Sequence, residues 1–138
     1  MANKILLEVV TPDRVVASRE VDIVVAPGYD GEFGVLPGHI PFLTSLRIGE
    51  MYYRDGSETN YFAISGGYVE VQSEKVTILA EAAEAARDID VDRARRARER
   101  AEERLRKAKQ EGLDFLQAEV ELRRAIVRLK VAERRLSA

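Results

Sequence analysis

The spacing of apolar residues changes character once in this chain, and the change falls at Arg87-Asp-Ile-Asp-Val-Asp-Arg-Ala94. Before it they recur every second position or in short runs, the period of a strand; after it they recur every three or four positions, the period of a helix. The order implies class α+β, with a β unit over residues 1–86, a hinge, and a helical unit over residues 87–138. Asp90 stands where a helix N-cap belongs, its carboxylate ready to accept from orphan N–H groups of the first turn, and Asp92 follows at the positive end of the helix dipole. Ile89 and Ala94 then fall at the N′ and N4 positions, where a small hydrophobic staple fixes the angle of entry. On these residues alone, Ile89-Asp90-x-x-Arg93-Ala94 is open to two readings, a well-capped helix start with an exposed arginine or part of a binding site.

The first unit reads as eight to ten short strands at the spacing of an all-β sandwich or barrel. Expected strands are Lys4 to Val10, ended by Thr-Pro-Asp, then Arg14 to Ala17, Val21 to Ala26, and Phe33 to Leu36. Ile40 to Leu46, Glu50 to Arg54, Glu58 to Ile64, Tyr68 to Gln72 and Lys75 to Ala80 follow. Asp55-Gly56 is a hairpin signal, and Ser65-Gly66-Gly67 reads as a break. Gly28 to Pro41 is too rich in glycine and proline for a central strand, so it reads as a long structured loop around the short Phe33 strand. Within it, Gly28 to Gly34 is no phosphate loop, because no Gly-Lys-Ser/Thr follows and no helix opens after it.

In the second unit Ala94, Ala97, Ala101, Leu105 and Ala108 form a thin stripe, Gly112 breaks it, and Phe115, Ala118, Leu122, Ala125, Leu129, Ala132 and Leu136 form another. Such stripes suit a close antiparallel hairpin in which alanines let the axes approach while Phe and Leu fill the gaps. Arg93 and Arg100 lie about 20° apart on one helical flank, and Arg124 and Arg128 share a flank of the other. If those flanks meet, four guanidinium forks suit a polyphosphate; otherwise they belong to a solvated face laced by pairs such as Glu99 with Arg95.

Composition removes whole classes of chemistry. There is no cysteine and one histidine, which excludes thiolate sites and multi-histidine metal clusters. No Ser, Cys or second His accompanies His39 as a nucleophilic pair, which assigns it to structure or an interface rather than catalysis. No catalytic and no metal-binding residues are therefore expected. The N-terminus carries no signal-like or membrane-spanning run, so membrane attachment is expected only through partners. Through Arg87 there are 7 Lys/Arg against 13 Asp/Glu, a charge of −6; from Asp88 there are 15 against 11, a charge of +4. The halves either attract one another or the second half seeks an acidic partner.

Two motifs together, Gly31-Glu-Phe-Gly-Val-Leu-Pro-Gly-His39-Ile-Pro41 in the β unit and Ile89-Asp90-x-x-Arg93-Ala94 opening the helices, resemble the epsilon subunit of bacterial F-type ATP synthase across essentially the whole chain. The resemblance implies a ten-stranded β-sandwich that binds the gamma subunit and sits on the c-ring, followed by an antiparallel two-helix hairpin that inhibits ATP hydrolysis when it extends into the alpha and beta subunits. It implies a non-catalytic regulatory subunit, peripheral on the cytoplasmic face of the plasma membrane, with no cofactor required and ATP as a regulatory ligand. The family's nucleotide motif falls on Ile89, Asp90, Arg93 and Ala94, with Arg124 and Arg128 matching the second-helix arginines and Glu84 and Arg100 in equivalent places. Its c-ring contact falls on Tyr29, Asp30, Gly31 and Glu32, and its gamma contact near His39.

The competing reading is an arginine-rich helix that binds nucleic acid or serves as a general interaction module. Glu99, Glu102, Glu103 and Glu111 interrupt the basic run and no aromatic platform is interleaved with it, so no nucleic acid is expected as a partner.

Overall fold

A computed structural model describes residues 3–112 and 114–134. Its elements are β1 (Ile5–Val10), β2 (Val15–Val21), β3 (Ile23–Gly28), β4 (Gly31–Val35), β5 (Phe42–Asp55), β6 (Glu58–Val71), β7 (Lys75–Ala80), β8 (Ala83–Ala85), a 3-10 turn at Ala86–Asp88, α1 (Val91–Glu111) and α2 (Phe115–Arg134). The strands run in the order β2-β1-β7-β6-β5-β3-β4, with β8 on β6; β1 and β7 are parallel and the other pairs antiparallel. Ile5, Leu7, Val9, Val24, Met51, Ile64, Val69 and Ile78 have no exposed surface, and they share one core between the two layers of the folded sheet. This is the expected sandwich.

The strand count depends on β5 and β6, each 14 residues long and in continuous register with the other. Along its free edge β6 pairs first with β8, through Phe62 to Ile64, and then with β7, through Gly67 to Val71. Each long strand thus replaces two of the nine strands expected from the pattern, and β8, which the pattern did not show, brings the count to eight against the ten that the resemblance implies. The expected break at Ser65-Gly66-Gly67 is instead a passage within β6. A Cβ on Gly67 would lie 2.0 Å from the Leu79 carbonyl oxygen, and its φ of 119° belongs to glycine. Close backbone approach, not a turn, is what that glycine serves.

Asp90 caps α1 as expected, and Gly112 closes it in the left-handed conformation at φ 66°. The seam is narrower than the pattern suggests. Ala94, Ala101 and Ala108 of α1 are buried, as are Ala118, Ala125 and Ala132 of α2, both sets at steps of seven. Such small side chains let the helices approach closely. Ala97, Leu105 and Leu122 are only half-buried, and Phe115 is exposed, its ring 5.7 Å from Lys109 Nζ. At the first position of α2, Phe115 turns towards Lys109 and fills no gap in the seam. Leu136 lies outside the described residues.

The hairpin rests on the outer face of the sheet. Phe62 and Ile64 point into the sandwich, so Tyr61 and Ala63 point out, and they join Ala86, Ile89, Ala94, Leu129, Val131 and Ala132 in a second apolar cluster. With few large side chains in it, at ~1.5–3 kcal/mol each, this cluster is a modest adhesive beside the main core.

Candidate functional site

At the hinge, Asp90 has extended backbone and its Oδ1 accepts from the Arg93 backbone N–H at 3.0 Å. That hydrogen bond, aided by the Asp92 backbone and the charges of Arg96 and Arg93, holds the Asp90 carboxyl below its usual range despite some desolvation. Ile89 and Ala94, each 1% exposed, are closed into the second apolar cluster. Their side chains are therefore committed to packing while the hairpin is docked, and no face of them is open to a base.

The four arginines do not form one free cluster. Arg128 grips Glu84 of β8 with two hydrogen bonds, Nε to Oε1 at 2.7 Å and Nη2 to Oε2 at 3.1 Å. Arg124 Nη2 lies 3.7 Å from Glu81 Oε2, in the turn before β8. Arg93 and Arg100 of α1 are exposed and, among the described residues, have no carboxylate within 4.0 Å. The hinge thus brings together Glu84 with Arg128 and Asp90 with the Arg93 backbone, while an incoming polyphosphate has to compete with Glu81 and Glu84 for two of its cations. The rest of α1 is laced by its own charges, although by other partners than expected: Arg95 meets Asp92 at 3.3 Å, Arg98 meets Glu102 at 3.0 Å, and Arg106 meets Glu103.

In the β unit, the expected long loop is shorter. Gly31 and Glu32 belong to β4, leaving Tyr29-Asp30 as a two-residue turn, and only Leu36 to Pro41 is irregular. Tyr29 is 69% exposed at the tip, with its N–H donating to the Ser45 carbonyl at 2.9 Å. His39 is fixed by its own neighbourhood: Nδ1 is 2.7 Å from the Ile40 carbonyl oxygen and the ring tilts over Phe42 at 5.3 Å. Around it Leu36, Leu43 and Ile40, the last 79% exposed, are presented to solvent. A row of neighbours across β6, β7, β1 and β2, namely Tyr68, Leu79, Val10 and Val15, extends this apolar outer surface.

Sequence reasoning missed the residues that fasten the hairpin at its far end. Arg134 donates from Nε and Nη2 to Glu50 at 2.9 and 2.7 Å, and its guanidinium lies 4.7 Å over the Tyr61 ring. Glu50 and Arg134 are 84 positions apart, and no local pattern joins them.

A β-sandwich carrying a docked, arginine-rich helical hairpin is a two-unit architecture, and both units match one family. Residues 4–86 match the beta-sandwich domain of the ATP synthase delta/epsilon chain and residues 87–133 its long alpha-helix domain. The chain belongs to the ATP synthase delta/epsilon chain family. It is 59% identical to the ATP synthase epsilon chain of Syntrophobacter fumaroxidans over 134 residues, covering 97% of this chain and 99% of that one. It is 53% identical to the epsilon chain of Halalkalibacterium halodurans over 128 residues, covering 93% and 96%. Among solved structures it superposes on a chain of the Euglena gracilis mitochondrial ATP synthase (OSCP, F1 and c-ring) with a TM-score of 0.76 and 26% identity, covering 94% and 81%. A chain from the central stalk and c-ring of the Tetrahymena thermophila mitochondrial ATP synthase shares the fold, at a TM-score of 0.53 and 18% identity, covering 62% and 69%.

Proposed function

We propose that this chain is a non-catalytic central-stalk subunit of a bacterial F-type ATP synthase, coupling proton flow to ATP synthesis and restraining ATP hydrolysis through its C-terminal hairpin. The observation that carries the reading is 59% identity with an ATP synthase epsilon chain across 97% of this chain. The gamma subunit meets the sandwich on the apolar surface beside His39, and the c-ring meets the tip at Tyr29, Asp30, Gly31 and Glu32. The chain reaches the cytoplasmic face of the plasma membrane through this complex; no described helix is long and apolar enough to cross a membrane. Inhibition follows when the hairpin leaves the sandwich and enters the head formed by the alpha and beta subunits. The modest apolar cluster beneath it supports that separability.

ATP, bound without hydrolysis and with or without Mg²⁺, is the ligand that holds the hairpin down. Arg93, Arg100, Arg124 and Arg128 receive its phosphates, Glu84 releases Arg128 as it binds, and Asp90 keeps its role as cap while meeting ribose or adenine. Ile89 and Ala94 shape the wall behind the base through the backbone. A ligand that binds only the compact form stabilises it by about 2.7 kcal/mol at a hundredfold excess over Kd, enough to reverse a marginal docking equilibrium. The test adds the full chain to a catalytic head lacking its own epsilon chain. Hydrolysis should fall, and ATP titrated into the isolated chain should give saturable heat that Arg93→Ala or Arg124→Ala weakens by more than about tenfold. Failure to associate with the head, together with salt-sensitive binding to DNA, would favour the nucleic-acid reading instead.

A further inference from the structure

We propose that Glu50 and Arg134 form a charge latch that sets how much of the hairpin is docked and makes its release sensitive to salt. The proposal rests on the reading that the hairpin leaves the sandwich, and it adds which contact governs the departure. The seat is visible in the strand register. Glu50 of β5 is opposite Ala63 of β6, and Ala63 is opposite Glu84 of β8, so the three form one row on the outer face with an alanine between two carboxylates. Two strand spacings separate Glu50 from Glu84, about 9.6 Å, and six residues of helix separate Arg128 from Arg134, about 9 Å. At 100° per residue those arginines lie about 120° apart on α2, with the fully buried Val131 midway between them. The helix therefore lays an apolar ridge on Ala63 and reaches a carboxylate on either side.

The two flanks are unequal. Glu50 keeps only 15% of its side chain exposed, against 39% for Glu84 and 68% for Glu81. Arg134 is further backed by Tyr61, itself 5.2 Å from Tyr52. Arg128 and Glu84 also form a two-bonded, part-buried pair, but the Glu50 carboxylate is the more desolvated, which makes its pair the stronger; because its partners are 84 residues apart it exists only in the docked form. Salt screens the attraction and leaves the apolar ridge untouched.

The absence of cysteine permits clean labelling of the full chain at Ser73→Cys and Glu111→Cys, one on the sandwich and one near the hairpin tip. Distance distributions by double electron resonance are compared between about 0.05 M and about 0.5 M salt, a span over which the screening length shortens severalfold. The expected result is a released population that grows with salt. Glu50→Gln should raise the released-to-docked ratio about three- to tenfold and flatten its salt dependence, while Glu81→Gln moves it less. Exchanging the charges, Glu50→Lys with Arg134→Glu, should restore docking. Arg134→Gln lies off the sandwich and replaces Glu50→Gln if that variant misfolds. A released population that neither single variant alters overturns the latch alone; loss of docking that the exchange does not repair and that keeps its salt dependence assigns Glu50 to packing. A single docked population in wild type and variants at every salt concentration overturns the latch and the mobile hairpin together.

Discussion

Enlarging Ala63 tests whether the hairpin and the sandwich are separable units. Its side chain is 8% exposed beneath α2, and its strand neighbours Phe62 and Ile64 face the opposite way into the main core. Ala63→Leu adds three carbons to a contact that already buries Val131 and Ala132 completely, and such overpacking costs ~1–3 kcal/mol. In the released form the new side chain lies on an open sheet surface, where leucine carries no strain. The whole cost therefore falls on docking, and the docked-to-released ratio should drop by about 5- to 150-fold. Amide hydrogen exchange reads this directly: the second half of α2 should exchange faster by that factor, while amides of β1 and β7 keep their protection. Equal acceleration in β1 and α2 would mean one cooperative unit, and the reading of a detachable hairpin would be wrong. No acceleration anywhere would remove Ala63 from the seat.

Gly67→Ala should destabilise the sandwich by at least about 3 kcal/mol, because a Cβ meets the Leu79 carbonyl and the backbone is in a glycine-only region; a melting temperature within a degree of wild type would refute the close approach. Asp55 accepts from Lys4 and from Arg19, whose Nη2 is 2.8 Å away, and these partners hold its carboxyl below the usual range. The folded pKa lies under the unfolded one, so this contribution is present above about pH 4 and is lost as pH falls through the lower folded value. Asp55→Asn should accordingly be less stable at neutral pH and less sensitive to acid, as thermal melts across pH will record. Glu32→Gln or Tyr29→Ala, at the exposed turn and the strand beside it, should weaken binding to the rotor while leaving the melting temperature nearly unchanged; a large fall in melting temperature with binding intact would assign these residues to packing.

By itself the sequence determined the change from strands to helices, the cap at Asp90 and the stop at Gly112, because each rests on local physics: a period of two or of three to four, a carboxylate before a helix, a glycine that can turn left-handed. It also carried the motifs that resemble a known family. Tertiary structure decided the rest. Ser65-Gly66-Gly67 looks like a turn until a carbonyl from β7 is placed where a side chain would be. Phe115 fits a helical stripe, yet in the folded hairpin it stands exposed beside Lys109 while the buried seam is carried by alanines. Spacing puts Arg124 and Arg128 on one flank, but only the docked sheet supplies Glu81 and Glu84 to meet them. Glu50 and Arg134 carry no mark in the chain, since the partnership of two groups 84 residues apart arises only when strand register and helix packing bring them to the same place.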